Sequence, residues 1–190
     1  MKKNLLISLW FTLATTLLFG LVYPLGITVI AQVLFHDKAD GQLVAQGGRL
    51  IGSKIIGQAF TGPGYFHSRT SVAGNGYDST ASGGSNLAPT NKALLDRVNG
   101  DVQKLQTENP SVPVPIDMVT TSASGLDPDI SPAAAAFQIP RIAKERNMSA
   151  AELQTLVQQH TQGRQFGFLG EPRVNVLKLN LALNAAHPLR

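Results

Sequence analysis

From Asn4 to His36 the chain carries no Asp, Glu, Lys or Arg, and Leu5 to Phe35 is dominated by Leu, Ile, Val, Phe, Ala and Thr. This run constrains the fold more than any other feature. Crossing a bilayer takes about 20 mostly apolar residues, because lipid offers backbone groups no hydrogen-bond partner and a helix satisfies them internally. At about 1.5 Å per residue, Leu5 to Leu34 exceeds a hydrocarbon core of roughly 30 Å, and tilt or an exposed last turn absorbs the excess. Pro24 removes a backbone donor inside the run and is expected to kink the helix. Trp10 and Tyr23 are candidates for interface anchors. A cleaved signal peptide has a shorter apolar region, of about 7–15 residues, followed by a small-x-small site. This run is longer, and 31–39 lacks such a site, so the segment is read as a retained anchor. Lys2 and Lys3 hold the N-terminus in the cytoplasm, which places residues 37–190 outside it. The expected organisation is a membrane anchor over 1–36 and one extracytoplasmic domain over 37–190.

The net charge of +4 does not point to nucleic acid. Lys2 and Lys3 supply half of it, and the other 14 basic residues are dispersed among 12 acidic ones. There is no basic block and little aromatic interleaving, so nucleic-acid binding is set aside. The chain has no cysteine, which excludes disulfides, thiolate metal sites and a cysteine nucleophile.

Beyond the anchor, 37–48 is polar and reads as a connector. The alternation over 49–56 predicts strands turning near Gly52. A region rich in Gly, Ser, Asn and Pro follows from Gly57 to Asn91, with Phe60, Tyr65, Phe66 and Tyr77 as its aromatic points. Thr90 or Asn91 caps a predicted helix to about Glu108, with Leu94, Leu95, Val98, Val102 and Leu105 on one face toward a core. Gly100 weakens this helix and Asn109-Pro110 ends it. Pro113 to Val119 reads as an edge strand. Ser131-Pro132 opens a helix over 133–147 that Pro140 should bend. Ser149-Ala150-Ala151-Glu152 is a capping box for a helix to about Gln162. Val174 to Leu183 reads as a strand turning into a short helix. The fold class is α+β: one transmembrane helix, then a small sheet with about three helices.

Chemistry is sparse. His36, His67, His160 and His187 lack metal-ligand spacing. No Gly-x-Ser-x-Gly elbow occurs. Asp127 and Asp129 flank Pro128 ahead of a helix, a pattern of turn and helix-dipole chemistry. The loop Ser82-Gly83-Gly84-Ser85-Asn86 is the best candidate for a nucleotide or anion nest, although a structural loop is the plainer reading. Its Ser-Gly-Gly core is shared with the signature loop of cassette-type transport ATPases, but no Gly-x-x-x-x-Gly-Lys-Ser/Thr accompanies it.

Longer runs carry a resemblance. They are Gly57-Gln58-Ala59-Phe60-Thr61, Tyr65-Phe66-His67-Ser68-Arg69 and Ala81-Ser82-Gly83-Gly84-Ser85-Asn86-Leu87-Ala88. Val119-Thr120-Thr121-Ser122-Ala123-Ser124-Gly125-Leu126-Asp127 follows, then Ile130-Ser131-Pro132-Ala133-Ala134-Ala135 with Gln138 and Arg141. Gly170-Glu171-Pro172-Arg173-Val174-Asn175-Val176 leads into Leu179-Asn180-Leu181-Ala182-Leu183. In this order, over nearly the whole chain, they resemble the C subunits of the bacterial Kdp high-affinity potassium-transporting ATPases. Thr70 departs from the pattern, which has Pro after the arginine, and Val72 is also less typical.

The resemblance implies a non-catalytic accessory subunit of a potassium uptake pump in the bacterial inner membrane. Its partners are a channel-like potassium-binding subunit and a P-type ATPase subunit. ATP, Mg and potassium are handled by those partners, with no cofactor in this chain. The family's C subunit supports assembly and has been described as a catalytic chaperone for ATP binding. The orientation set by Lys2 and Lys3 opposes direct contact with ATP. In this picture Gly20, Pro24 and Gly26 shape the anchor's contact with the channel-like subunit. Asp78, Asp127 and Asp129 raise local potassium concentration or serve as solvated turn residues. Arg69 and Arg141 serve an interface or internal ion pairs. Two other classes remain open: a regulator binding nucleotide through Ser82–Asn86 on the cytoplasmic side, and an anchored extracytoplasmic enzyme.

Overall fold

A computed structural model describes residues 1–188 and divides the chain into two compact units between Val44 and Ala45. The first contains α1 (Lys2–Leu34), a single apolar helix of 33 residues with none of its side chains buried. It is long enough to cross a membrane. A π-turn over Leu18–Val22 interrupts its α-helical register, and the Tyr23 N–H donates to Leu18 O, five residues back. The register changes one residue before Pro24, which has no N–H and whose ring crowds the carbonyl four residues earlier. The wider turn is how this helix accommodates the proline. Ser8, Thr15 and Thr28 turn their hydroxyls back onto Leu5, Phe11 and Pro24 carbonyls at 3.0, 2.8 and 2.8 Å. Internal satisfaction of this kind suits a helix in lipid. At its far end Gln32, His36 and Asp40 join through Gln32 Nε2 to Asp40 at 3.0 Å and His36 Nδ1 to Gln32 Oε1 at 2.9 Å.

The connector expected over 37–48 holds more structure than its polarity suggested. His36–Ala39 forms a helical turn, and β1 (Leu43–Gln46) pairs with β2 (Arg49–Ser53). The hairpin turns at Gly47 and Gly48, both at positive φ, and not near Gly52. Two consecutive glycines suit a tight hairpin turn.

In the second unit, α2 (Lys92–Glu108) starts where Asn91 accepts the Ala93 N–H. None of its residues is fully buried, and Leu95 is 49% exposed. The apolar face was expected to bury in a core; only Leu105 is seated against it. Pro113 to Val119 does not form a strand, because Pro113 and Pro115 cannot donate to a ladder and Ile116–Met118 closes into a 3-10 turn. The helix α3 (Pro132–Arg146) runs through Pro140 and ends at Asn147 in the left-handed region. The α4 helix (Ala150–His160) carries the full capping box, with Ser149 and Glu152 exchanging bonds. Val176–Ala186 forms α5 directly after a strand, as the sequence pattern predicted.

A three-stranded antiparallel sheet has the order β3 (Asp129–Ile130), β5 (Arg173–Asn175), β4 (Thr161–Gln162). Its register pairs Ile130 and Thr161 with Val174. Packing of α4 against α3 and α5 closes one core around Phe66, Ile130, Ile142, Leu153, Val174, Leu179 and Leu183. Burying a large aliphatic or aromatic side chain contributes about 1.5–3 kcal/mol, so this core suffices without disulfides.

Candidate functional site

The long region over 57–91 has almost no regular structure, yet it is pinned along its length. Asn180 on α5 is 1% exposed and holds Phe66 by both backbone groups. Its Oδ1 accepts the Phe66 N–H at 2.9 Å and its Nδ2 donates to Phe66 O at 2.9 Å. Gln138 on α3 repeats the arrangement one residue later, with His67 N–H to Oε1 at 2.7 Å and Nε2 to His67 O at 3.2 Å. Each amide stands in for one residue of a neighbouring strand. Arg141 Nε lies 3.2 Å from the Glu108 carboxylate, and its guanidinium donates to Gln138 Oε1, Tyr65 O and Pro63 O. Burial pulls its pKa below the usual arginine range, and Glu108 opposes this. Arg146 donates to Gly64 O and Asn184 and lies over the Tyr65 ring at 4.8 Å.

Downstream, Tyr77 donates its hydroxyl to Arg69 O, and burial raises its pKa. Thr70, at the position where the resemblance predicts Pro, donates to Met118 O at 3.3 Å. The Ser82–Asn86 loop is tied to the turn over 122–125: Ser82 Oγ and the Gly83 N–H both donate to Ser124 O, at 3.0 and 2.8 Å. Those two donors are therefore engaged within the chain. Gly125 has φ +66°, and a Cβ there would sit 2.7 Å from Gly83 O and 2.8 Å from Ala73 N. Only glycine lets the two loops meet.

A cleft of about 510 Å³ is lined by Arg69, Asp117, Asp127, Asp129, Glu171 and Arg173 among others. Its charged side chains are each engaged within the chain. Arg69 pairs with Asp127 at 2.8 Å, Arg173 with Asp129 at 3.0 Å, and Glu171 with Arg164 at 2.7 Å. Asp117 accepts the Ser131 N–H at 2.7 Å and its hydroxyl at 3.1 Å, which puts a carboxylate at the N-terminus of α3. Sequence pattern did not single out Asp117, because its partner lies 14 residues away. Asp78 lies apart from this cleft; Thr80 donates to it through N–H and hydroxyl and holds its carboxyl below the usual carboxylate range. Among the described residues no group of three His, Cys, Asp or Glu is placed to hold a metal. The Ser131 hydroxyl is spent on Asp117 and on the Ala134 N–H.

In α1, Gly20 and Gly26 each have open space where a Cβ would stand, so both positions are uncrowded within the chain. Arg69 and Arg141 both make internal ion pairs. Sequence reasoning picked out Gln138, Arg141 and Asn180 as parts of the shared pattern, but not as the residues that hold the long loop.

The family described as KdpC, K+-transporting ATPase c chain, matches residues 5–185. The chain is 61% identical over 189 residues to the potassium-transporting ATPase KdpC subunit of Koribacter versatilis, covering 100% of this chain and 98% of the relative. It is 54% identical to the subunit of that name from Rhodopseudomonas palustris strain BisB18, with 98% and 100% covered. Identity to the Acidobacterium capsulatum subunit is 52%, with 97% and 100% covered. One apolar N-terminal helix, one mixed domain and full-length similarity to these subunits agree: the chain belongs to the KdpC family of K+-transporting ATPase subunits.

Proposed function

We propose that this chain is the non-catalytic, membrane-anchored subunit of a potassium pump, acting by docking and holding the complex together. The observation that carries this reading is the use of the family's polar pattern. Gln138, Arg141, Asn180, Arg69 and Asp127 are spent on fixing the domain's own loops. Polar groups committed this way suit a rigid scaffold better than turnover, which requires groups aimed at a substrate.

The domain lies outside the cytoplasm, because Lys2 and Lys3 stand at the N-terminal end of the span and positive ends stay inside. The anchor packs on the channel-like subunit, with Gly20 and Gly26 permitting close helix approach and the π-turn before Pro24 shaping the contact. ATP, Mg and potassium are bound by the partner subunits. Any effect on ATP affinity reaches the catalytic subunit through assembly. The Ser82–Asn86 loop braces the Ser124 turn in this reading, and its engaged donors weigh against a nucleotide nest. Asp127 and Asp129, each held by an arginine, are poorly suited to concentrating cations.

Alkaline phosphatase fused after Arg190 tests the orientation: activity in intact cells is expected, and a signal confined to the cytoplasm overturns it. Purification through a tag on the ATPase subunit tests the role. This chain should co-purify in mild detergent, and potassium-stimulated ATP hydrolysis should fall when its gene is deleted. Undiminished hydrolysis without it contradicts an accessory role.

A further inference from the structure

Two parts of the second unit lie outside the core. The hairpin over 163–172 closes on itself: Gln165 and Leu169 exchange both backbone bonds at 2.9 Å, with Phe166 and Gly167 at φ of +52° and +81°. The helix α2 is the other, and it is attached to the domain at few points. It makes no extensive contact with any other helix or strand. Near its middle Arg97 donates to Val119 O at 3.1 Å and to Asp101 of the same helix at 2.9 Å. At its C-terminal end Leu105 touches the core and Glu108 meets Arg141 at 3.2 Å. The buried Asn109 then donates its amide to Phe137 O at 3.0 Å. At the N-terminal turn Lys92 pairs with Asp96 in the open, at 86% and 61% exposure. Such a helix can swing away from the domain while Asn109 holds the pivot.

The side that α2 turns to the long loop is polar. A pocket of about 150 Å³ is lined by Asp101, Lys104 and Glu108 from α2 and by His67, Ser68 and Thr70 from the loop. His67 Nε2 donates to Gly62 O at 3.0 Å, so the neutral ring leaves Nδ1 to take a second proton. Burial holds the His67 pKa below 6.5; the Gly62 carbonyl and Glu108 act against this, while Arg141 and Lys104 add to it. With α2 in place, an imidazolium there faces two cations, and the two carboxylates nearby are already paired, Asp101 with Arg97 and Glu108 with Arg141. With α2 swung away, the pocket opens to water and the ring regains its hydration. Protons therefore favour the open form. We propose that α2 is a proton-sensitive flap, released from the domain when His67 becomes an imidazolium in the pocket beneath it. The flap reads acidity on the side of the membrane that the domain faces, and it needs no partner subunit to do so.

Hydrogen exchange of the full chain in mild detergent tests this at about pH 7.5 and about pH 5.5, which bracket the imidazole range, with each rate divided by the intrinsic rate at that pH. At both values the amides of Val98 to Leu105 should be at least about tenfold less protected than those of Ile139 and Ile142 in α3, the mark of an opening short of unfolding. On acidification the α2 protection should fall by at least about threefold. His67→Gln should remove that fall. Lys104→Glu, a change at an exposed position, sets a carboxylate where the cation faces His67 and should at least halve the fall with the histidine still present. Protection of α2 equal to that of α3 at both values overturns the flap, because the helix then opens only with the whole domain. A fall that is absent in the wild type, or that survives either substitution undiminished, overturns the role of His67 as its trigger.

Discussion

The loop over 57–91 and the hairpin over 163–172 are both irregular, glycine-containing and outside the helical core, yet they are built in opposite ways. In the loop, aromatic residues such as Phe66 turn inward and their backbone groups are met by buried amides. In the hairpin, local backbone bonds do the bracing and the aromatic side chains turn outward. The contrast teaches that irregular structure here is braced in two ways, by buried amides from distant elements or by local backbone bonds alone. A residue's role follows from where its partners are, and not from whether it sits in a loop.

The sharpest way to break this comparison is to remove a clamp. Asn180→Leu keeps the volume but leaves the buried Phe66 N–H and C=O unpaired, and should cost roughly 2–5 kcal/mol in urea unfolding. A loss comparable to a surface substitution would show that the loop does not depend on α5. Next in size, Gly125→Ala should cost about 2–4 kcal/mol, because it adds left-handed strain and drives a methyl into Gly83 O and Ala73 N. The same substitution at Gly167, in the open hairpin, should cost only the left-handed strain of about 1 kcal/mol, since its φ is +81° but nothing stands within 4 Å of its Cβ position.

Acid sharpens the picture of the clamped loop. His67 has its pKa lowered below 6.5 by burial, with Arg141 and Lys104 lowering it further and the Gly62 carbonyl and Glu108 opposing them. The unfolded state takes up its proton first as pH falls. This residue's contribution is therefore fully present above 6.5 and is lost as pH falls from 6.5 toward the lower folded value. The urea midpoint of His67→Gln should fall less than that of the wild type between about pH 7.5 and pH 5.5. Parallel losses would remove His67 from the account. The smallest effect belongs to the hairpin tip. Phe166→Gly relieves the left-handed strain and should leave stability unchanged or raise it by up to about 1 kcal/mol, read as thermal midpoint.

Much of the fold was legible because its signals are local. The charge-free run, the Ser149 capping box, the Ser131-Pro132 start and the strand running into α5 each need only a few neighbouring residues. The β1 strand was missed because its pairing depends on Gly47-Gly48 in a polar stretch. The strand expected over 113–119 failed because two prolines outweigh its apolar content. The site was legible as a family pattern and opaque as physics. Asn180 meets Phe66 across 114 positions and Gln138 meets His67 across 71, distances at which spacing carries no information. The hairpin tip passed unnoticed because an apolar Phe-Gly-Phe-Leu stretch reads equally well as buried.

Hydrogen exchange on the full chain tests the central division most directly. The account predicts slow exchange at the amides of Phe66 and His67, which buried side chains of other elements hold, and much faster exchange over 163–172, which only local bonds brace. Fast exchange at Phe66 and His67, or exchange over 163–172 as slow as theirs, would contradict it.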